Sequence, residues 1–347
     1  MPAAIDFSAG YSLAPDLVVF RRNDTTIQIG TEAPRRVLIA NVPPHASSVL
    51  RHLHDTSSLS DAIAILGGDP ERWKALFCLL ADEGLLEPSA ISEIYPPHLT
   101  GERLTLIHRF GRLSADRALA ARADAIVVIE GSGLVADLMG GLLEAAGIGR
   151  IHQSAQPGAT GPKEPPTARR LPHTDLAGRP TLQVRYRPPA SQTRPNITVL
   201  AGPRLPTPGR VAALITQVVP HLPIQVTSSR LIVGPLVLPG LSTCINCIDR
   251  HRLDLDPDWH TVAAAAQPSP QPSTPLAQSA ASLAAGQVLD LIDALRKPAS
   301  VNATLEQLAG SIYPRRRAWS RHDECRCRHV AHSPTRTMSL TTDSAGI

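Results

Sequence analysis

The chain has 347 residues, of which 43% are apolar and only 3% aromatic, and it carries a formal charge of +4. That length suits two domains, or one large domain with an appendage, built around aliphatic cores. So small a basic excess excludes a strongly basic nucleic-acid binder, and no run approaches the roughly 18 apolar residues of a membrane span.

In chain order, residues 16–20 and 26–30 predict two strands about a polar turn, and 36–39 a third. Three helical stretches follow. Residues 45–54 carry apolar Val49, Leu50 and Leu53; residues 60–66 have Ser60 as N-cap; residues 71–83 end at Gly84. An extended segment opens at Leu85. A small sheet, three helices and a return strand make a winged-helix-like α+β plan for residues 1–90, beside the plainer reading of a generic α+β subdomain. Residues 91–122, helical in part, read as a linking arm.

The clearest pattern opens at Ala123. An apolar run through Ile129 enters Glu130-Gly131-Ser132-Gly133-Leu134-Val135-Ala136, a Gly-x-Gly-x-x-Ala turn leading into a helix over 134–146. Gly147-Ile148-Gly149 then turns into a second strand. This is a βαβ opening of the dinucleotide- or ATP-binding kind: glycines permit a tight turn, and the helix N-terminus attracts phosphate. A Pro/Gly-rich linker is expected over 156–170. A strand over 196–200, a helix over 208–219 and strands over 222–227 and 230–237 continue an α/β, parallel or mixed sheet. A second low-complexity linker covers 267–275, and an Ala-rich helix runs from Thr274 or Pro275 to Leu295. After Leu305 the chain reads as irregular, and the tail at 331–347 as disordered.

Four of the five cysteines stand in two close pairs, Cys244-x-x-Cys247 and Cys325-x-Cys327. Paired thiolates are the usual ligands of structural zinc. With no signal peptide in view, this spacing favours metal thiolates in a reducing cytoplasm over disulfides. A closed four-cysteine site leaves no position for substrate, so its expected role is structural. His322 is an alternative ligand, and Cys78, in an apolar run, reads as core. His221, His251 and His260 stand in no catalytic spacing with a nucleophile and a carboxylate, so no catalytic residue is assigned.

From Ala123 onward the order of these motifs resembles the adenylating fold of ubiquitin-activating enzymes and their bacterial ThiF/MoeB relatives. More narrowly, several strings resemble the ThiF-like cyclodehydratase partner proteins of azole-forming ribosomal peptide clusters. They are Val233-Gly234-Pro235-Leu236-Val237-Leu238-Pro239-Gly240, Cys244-Ile245-Asn246-Cys247, His251-Arg252, Asp256-Pro257-Asp258-Trp259 and Arg315-Arg316-Arg317-Ala318-Trp319 with His322 and Cys325-Arg326-Cys327.

The resemblance implies a ThiF-like Rossmann-type α/β domain with structural zinc over 123–330. It also implies that residues 1–90 bind the leader segment of a precursor peptide. The implied partner is a YcaO-type cyclodehydratase, which uses ATP to turn Cys, Ser or Thr into azolines in bacteriocin-like peptides. A homodimer is also compatible with it.

An active ATP site of this family needs an acidic residue after the second strand, but His152-Gln153-Ser154-Ala155-Gln156-Pro157 holds none, and the next acid is Glu164 in the linker. Asn196 and Gly202-Pro203-Arg204 offer no carboxylate for Mg²⁺. Glu130 would stand near any bound phosphate. Gly131 and Gly133 therefore read as a degenerate nucleotide turn, and ATP is not expected as a cofactor.

For the N-terminal module, the expected mode is an extended peptide added as a strand. The candidate edge is 26–30 or 36–39, with the helix at 71–83 as the opposite wall. Arg35, Arg36, Arg72 and Lys74 are placed to meet acidic leader residues. DNA binding is disfavoured because the third helix carries Glu71, Asp82 and Glu83. Two other readings stay open: an active ThiF-type adenylyltransferase, and a zinc-ribbon nucleic-acid binder using the arginines of 315–328.

Overall fold

The computed structural model describes residues 5–14, 17–31, 36–53, 57–66, 68–89, 95–154, 194–202, 206–265 and 272–329. The linker expected over 156–170, residues 267–271 of the second linker and the tail at 331–347 lie outside them, as do Asp16, Arg35, Glu164, Pro203 and Arg204. The described backbone separates into two compact units, residues 1–121 with 145–147, and residues 122–144 with 148–347.

The first unit contains β1 (Tyr11–Leu13), β2 (Val19–Arg21), β3 (Thr26–Ile29), β4 (Val37–Ala40), α1 (Ala46–Arg51), α2 (Leu59–Leu66), α3 (Pro70–Asp82), β5 (Leu86–Pro88) and α4 (Thr100–Phe110), with most of α5 (Arg112–Asp124). β2, β3 and β4 form an antiparallel sheet in that order, while β1, which the sequence pattern does not show, pairs with β5. β3 is therefore central, with both sides already hydrogen-bonded, and cannot accept an added strand. Of the two expected edges only β4 has an open side among the described residues.

Strand alternation sorts the faces. Val19, Ile27, Ile29 and Ile39 are buried, whereas Phe20, Gln28 and Leu38 share the opposite face. α3 starts where Asp69 accepts the Glu71 N–H at 3.0 Å and Pro70 presets φ, and it stops before Gly84 at φ +66°. Its Trp73, Leu76, Phe77 and Leu80 repeat at helical spacing and fill the core. The serine capping α2 is Ser58 rather than Ser60: its Oγ accepts the Asp61 N–H at 3.0 Å, and Ser60 already lies in the first turn.

Residues 100–124 form two helices, and a buried charge network ties them to β5. Arg103 donates to the two Glu87 oxygens at 3.1 and 2.9 Å and to Asp116 at 3.3 Å, and Arg112 reaches Glu87 at 3.2 Å. Such charge-assisted guanidinium–carboxylate bonds replace much of the water that both groups lose, although Arg103 Nη2 has no partner among the described residues.

The second unit contains β6 (Ile126–Glu130), α6 (Leu134–Ala145), β7 (Arg150–Ser154), β8 (Ile197–Leu200), α7 (Pro208–Thr216), β9 (His221–Val226), β10 (Arg230–Val233), α8 (Ile245–Leu255), α9 (Trp259–Ala265), α10 (Thr274–Asp293), β11 (Ala303–Leu308) and β12 (Arg315–Ala318). The strands form one mixed sheet in the order β12-β11-β10-β9-β8-β6-β7. β6 to β9 pair in parallel, and β10 to β12 continue antiparallel.

β8 is buried throughout, as a covered parallel strand should be. Ala277, Ala280, Ala281, Ala284 and Ala285 give α10 a thin buried side that lies against β9 and β10. The strand expected over 230–237 stops at Val233, where Gly234 and Pro235 follow. The chain after Leu305 is not irregular. It forms the β11–β12 hairpin, whose strand character comes from pairing with a neighbour and not from its own arginine-rich pattern.

Candidate functional site

Three places in the molecule bear on function. The first is the cysteine cluster. Cys244 occupies the N-cap position of α8, Cys247 lies in its first turn, and Cys325 and Cys327 arrive after β12. All four are buried and free of disulfides. Their Sγ atoms stand 3.7 Å apart for Cys244–Cys247, 3.6 Å for Cys244–Cys325 and 3.5 Å for Cys247–Cys327, all four within 4.8 Å of one another. Sulfurs about 2.3 Å from a tetrahedral ion stand about 3.8 Å from each other. The thiols can therefore hold a metal ion with little movement.

Their electrostatics point the same way. A hydrogen bond from Cys244 holds the Cys247 thiol down to about 4, and that bond together with burial pushes Cys244 up. Burial, then the bond with Cys247, pushes Cys327 up to about 12. A buried thiolate beside thiols that resist ionising is a set that a cation stabilises. The surroundings are fixed by side chains: the Thr243 N–H donates to Asn302 Oδ1 at 2.7 Å, and its hydroxyl to the Trp319 carbonyl at 3.0 Å.

His322 lies outside the four-sulfur set. Its Nδ1 accepts the Glu324 N–H at 3.2 Å, which leaves the ring proton on Nε2 to be donated to Asp254 at 3.0 Å. His251, Asp254 and His322 lie close enough to ligate a cation. Yet that proton occupies the His322 nitrogen an ion would need, and His251 Nε2 bonds the Ser320 carbonyl at 3.0 Å. The group is a hydrogen-bonded brace between α8 and the second cysteine pair.

The second place is the nucleotide-type turn. β6 lies between β8 and β7, so the strand order reverses there, and open α/β sheets bind ligands in the crevice at such a point. Here the backbone packs tightly at the first glycine of the turn. A Cβ on Gly131 would stand 2.3 Å from the Ala201 carbonyl oxygen, and the Gly131 N–H donates to the Ser154 carbonyl at 2.8 Å. Gly133, at φ +90°, faces open space.

Glu130, only 4% exposed, receives Arg210 Nε at 2.8 Å and a second bond from the same guanidinium. Arg210 sits in the first turn of α7, whose N-cap Thr207 accepts the Arg210 N–H at 3.3 Å. The ion pair thus runs from the end of β6 to the helix that follows β8. Sequence reading missed it, although the signal was there: a cation in a helix's first turn opposes the dipole unless a carboxylate holds it.

On the same sheet face His221 is fully buried. Nδ1 bonds the Val219 carbonyl at 3.0 Å, Nε2 has no partner among the described residues, and burial lowers the pKa to about 4. It is a neutral core histidine, unpaired with any nucleophile.

The third place is the β4 edge. Leu38 is 62% exposed there, and Arg36 and Ala40 are exposed beside it. Arg72 at the start of α3 donates to the carbonyls of Asn41 at 2.9 Å and Val42 at 3.4 Å, tying α3 just beyond β4. Lys74 is held by Glu71 at 2.8 Å. Of the described cations expected to meet a peptide, Arg36 alone makes no bond within the module.

No known family model and no curated protein sequence matches this chain. Solved structures do. The microcin C7 biosynthetic enzyme MccB in complex with N-formylated MccA aligns with a TM-score of 0.52 at 14% identity, covering 92% of this chain and 99% of that one. E. coli MccB with ATP gives 0.52 at 15%, covering 91% and 99%. A heterocyclase in complex with substrate and cofactor gives 0.57 at 14%, covering 92% of this chain but only 39% of that one. Likeness at such identities is a likeness of fold. By that measure the chain has the mixed α/β fold of MccB, shared by part of a heterocyclase.

Proposed function

We propose that this chain is a peptide-binding scaffold in the biosynthesis of azole-modified, bacteriocin-like peptides. It holds the leader segment of a ribosomal precursor peptide for a separate YcaO-type cyclodehydratase and supplies no catalytic residue of its own. In this reading residues 1–90 are a winged-helix-like recognition module, 91–122 an arm, and 123–330 a cytoplasmic, homodimeric platform braced by one structural zinc on Cys244, Cys247, Cys325 and Cys327. The observation that carries it is the Glu130–Arg210 pair. Bound phosphates would have to break that forked bond and then face a buried carboxylate.

The β4 edge supplies what a peptide needs: open main-chain groups, an exposed Leu38, and α3 tied alongside. MccB has been seen with the peptide MccA, which supports a peptide ligand for this fold. The deciding experiment pairs two titrations of the whole protein. A labelled leader peptide from a neighbouring precursor gene should bind, and Leu38→Asp should weaken it at least tenfold. Calorimetry with Mg-ATP should show no heat. Micromolar Mg-ATP binding, or ATP turnover by the isolated chain with peptide, ends the scaffold reading.

One observation favours a second reading, an active ThiF-type adenylyltransferase: MccB of the same fold has been seen with ATP. That reading requires pyrophosphate exchange by this chain.

A further inference from the structure

The sheet of the second unit ends on β12, whose residues are all exposed and include Arg315, Arg316 and Arg317. The Trp319 N–H donates to the Asn302 carbonyl at 2.9 Å, continuing the register that sets Arg317 opposite Thr304 and Arg315 opposite Glu306. In an antiparallel pair, successive residues bond alternately inward and outward. The main-chain groups of Arg315 and Arg317 therefore point to β11. Those of Arg316 and Ala318 point to the open side, where no described strand meets them.

The same register puts Arg230, Arg315 and Arg317 on one sheet face with Thr304 and Glu306. Arg252 of α8 joins them, its guanidinium 4.6 Å from the Trp259 ring centre, while that of Arg317 lies 4.2 Å from Trp319. Few carboxylates answer these cations. Asp249 lies 3.5 Å from Arg252, and Glu306 is already engaged by the Thr304 hydroxyl at 2.8 Å. Burial above all lowers the pKa of Arg252, and Arg317 and Arg230 lower it further against the pull of Asp249. Arg230, Arg315 and Arg317 make no ion pair among the described residues. Around the hairpin tip, Leu308, Ile312 and Tyr313 are 61%, 78% and 74% exposed.

Open strand groups, unanswered guanidiniums and apolar anchors select one kind of partner. A second copy of this chain pairing edge to edge would set arginine against arginine, which is how charged edges reject self-association. A nucleic acid would meet the cations but leave the outward N–H and C=O groups of Arg316 and Ala318 unmatched. We propose that β12 is a docking edge for an acidic, extended segment of a protein partner. That segment adds as a further strand, with carboxylates toward Arg315, Arg317 and Arg252 and apolar side chains against Ile312 and Tyr313 beyond the end of β12. The inference does not depend on what the N-terminal module binds.

The test uses the full chain and a labelled peptide of about eight residues, a strand's length, alternating Glu with Val. Its Lys–Val counterpart is the control. Fluorescence anisotropy should show binding of the Glu peptide alone. The double variant R315E/R317E should weaken it at least tenfold while the chain stays folded at the assay temperature, checked by circular dichroism, because both side chains are exposed. Ala318→Pro should weaken it too, since the lost N–H faces outward and no ladder bond is broken. Leu38→Asp should leave it unchanged. The proposal is overturned by any of four results: no preference for Glu over Lys, full binding by R315E/R317E, full binding by Ala318→Pro, or displacement of the peptide by a single-stranded oligonucleotide of equal charge at lower concentration.

Discussion

The two halves of the large sheet differ in what their side chains leave open. The parallel half, β6 to β9, contains the crevice where proteins of this architecture place a nucleotide, yet Gly131 is pressed against Ala201 there and Arg210 bridges to Glu130. The antiparallel half, β10 to β12, is topologically only an extension, yet the cysteine cluster and the open arginine edge lie beside it. A fold fixes where a crevice lies; the side chains at its lip decide whether anything can enter.

Substitutions can break or sharpen this contrast. The largest effect is expected from Cys247→Ser, which removes one of four buried thiols. If the four hold the proposed zinc, the substitution should abolish zinc binding, measured by elemental analysis, and cost more than about 5 kcal/mol in urea unfolding, given the energies of structural zinc sites. A variant that keeps both metal and midpoint would take the metal brace out of the comparison. Next comes Gly131→Ala, which drives a methyl into the Ala201 carbonyl. A loss of about 3 kcal/mol is expected for such overpacking. Gly133→Ala, with open space before it, should cost only about 1 kcal/mol of backbone strain. Equal costs at the two glycines would mean that the turn is not a packing device.

Glu130→Ala comes third, at about 2 kcal/mol for a charge-assisted bond lost by a partner that can reach water. If calorimetry detects Mg-ATP with the variant and not with wild type, the ion pair is the gate; if it detects none with either, the ion pair is not the obstacle.

The smallest effect is a pH dependence at the joint between the halves. His221 has a folded pKa of about 4 against an ordinary 6.5, so the unfolded chain binds the extra proton between those values. Its contribution is whole above 6.5 and lost as the pH falls toward 4. Between pH 7 and 5, wild type should lose about 1–2 kcal/mol more than His221→Asn does. Parallel pH profiles for the two proteins would show that this ring does not carry the penalty.

Local signals made much of this visible in the sequence. The apolar run into Gly131 and Gly133 gave β6 and α6 nearly to the residue, and the spacing of Cys244, Cys247, Cys325 and Cys327 anticipated their meeting. What escaped depended on neighbours distant in the chain. β3 and β4 look alike as sequence, and only their order in the sheet makes one central and the other an edge. β12 has three arginines where strands favour branched and aromatic residues, and it becomes a strand only because β11 offers its hydrogen bonds. The serine capping α2 stood two positions before the one expected, because Leu59 and not Ser60 begins the helix.

The two cysteine pairs enclose the whole stretch from α8 to the far end of the β11–β12 hairpin. Should one ion grip both, it would act as a removable cross-link, narrowing the conformations open to the unfolded chain as any long closed loop does. The outermost strand would then not peel away by degrees. It would stay in place until the clasp opened, and everything enclosed would come loose together.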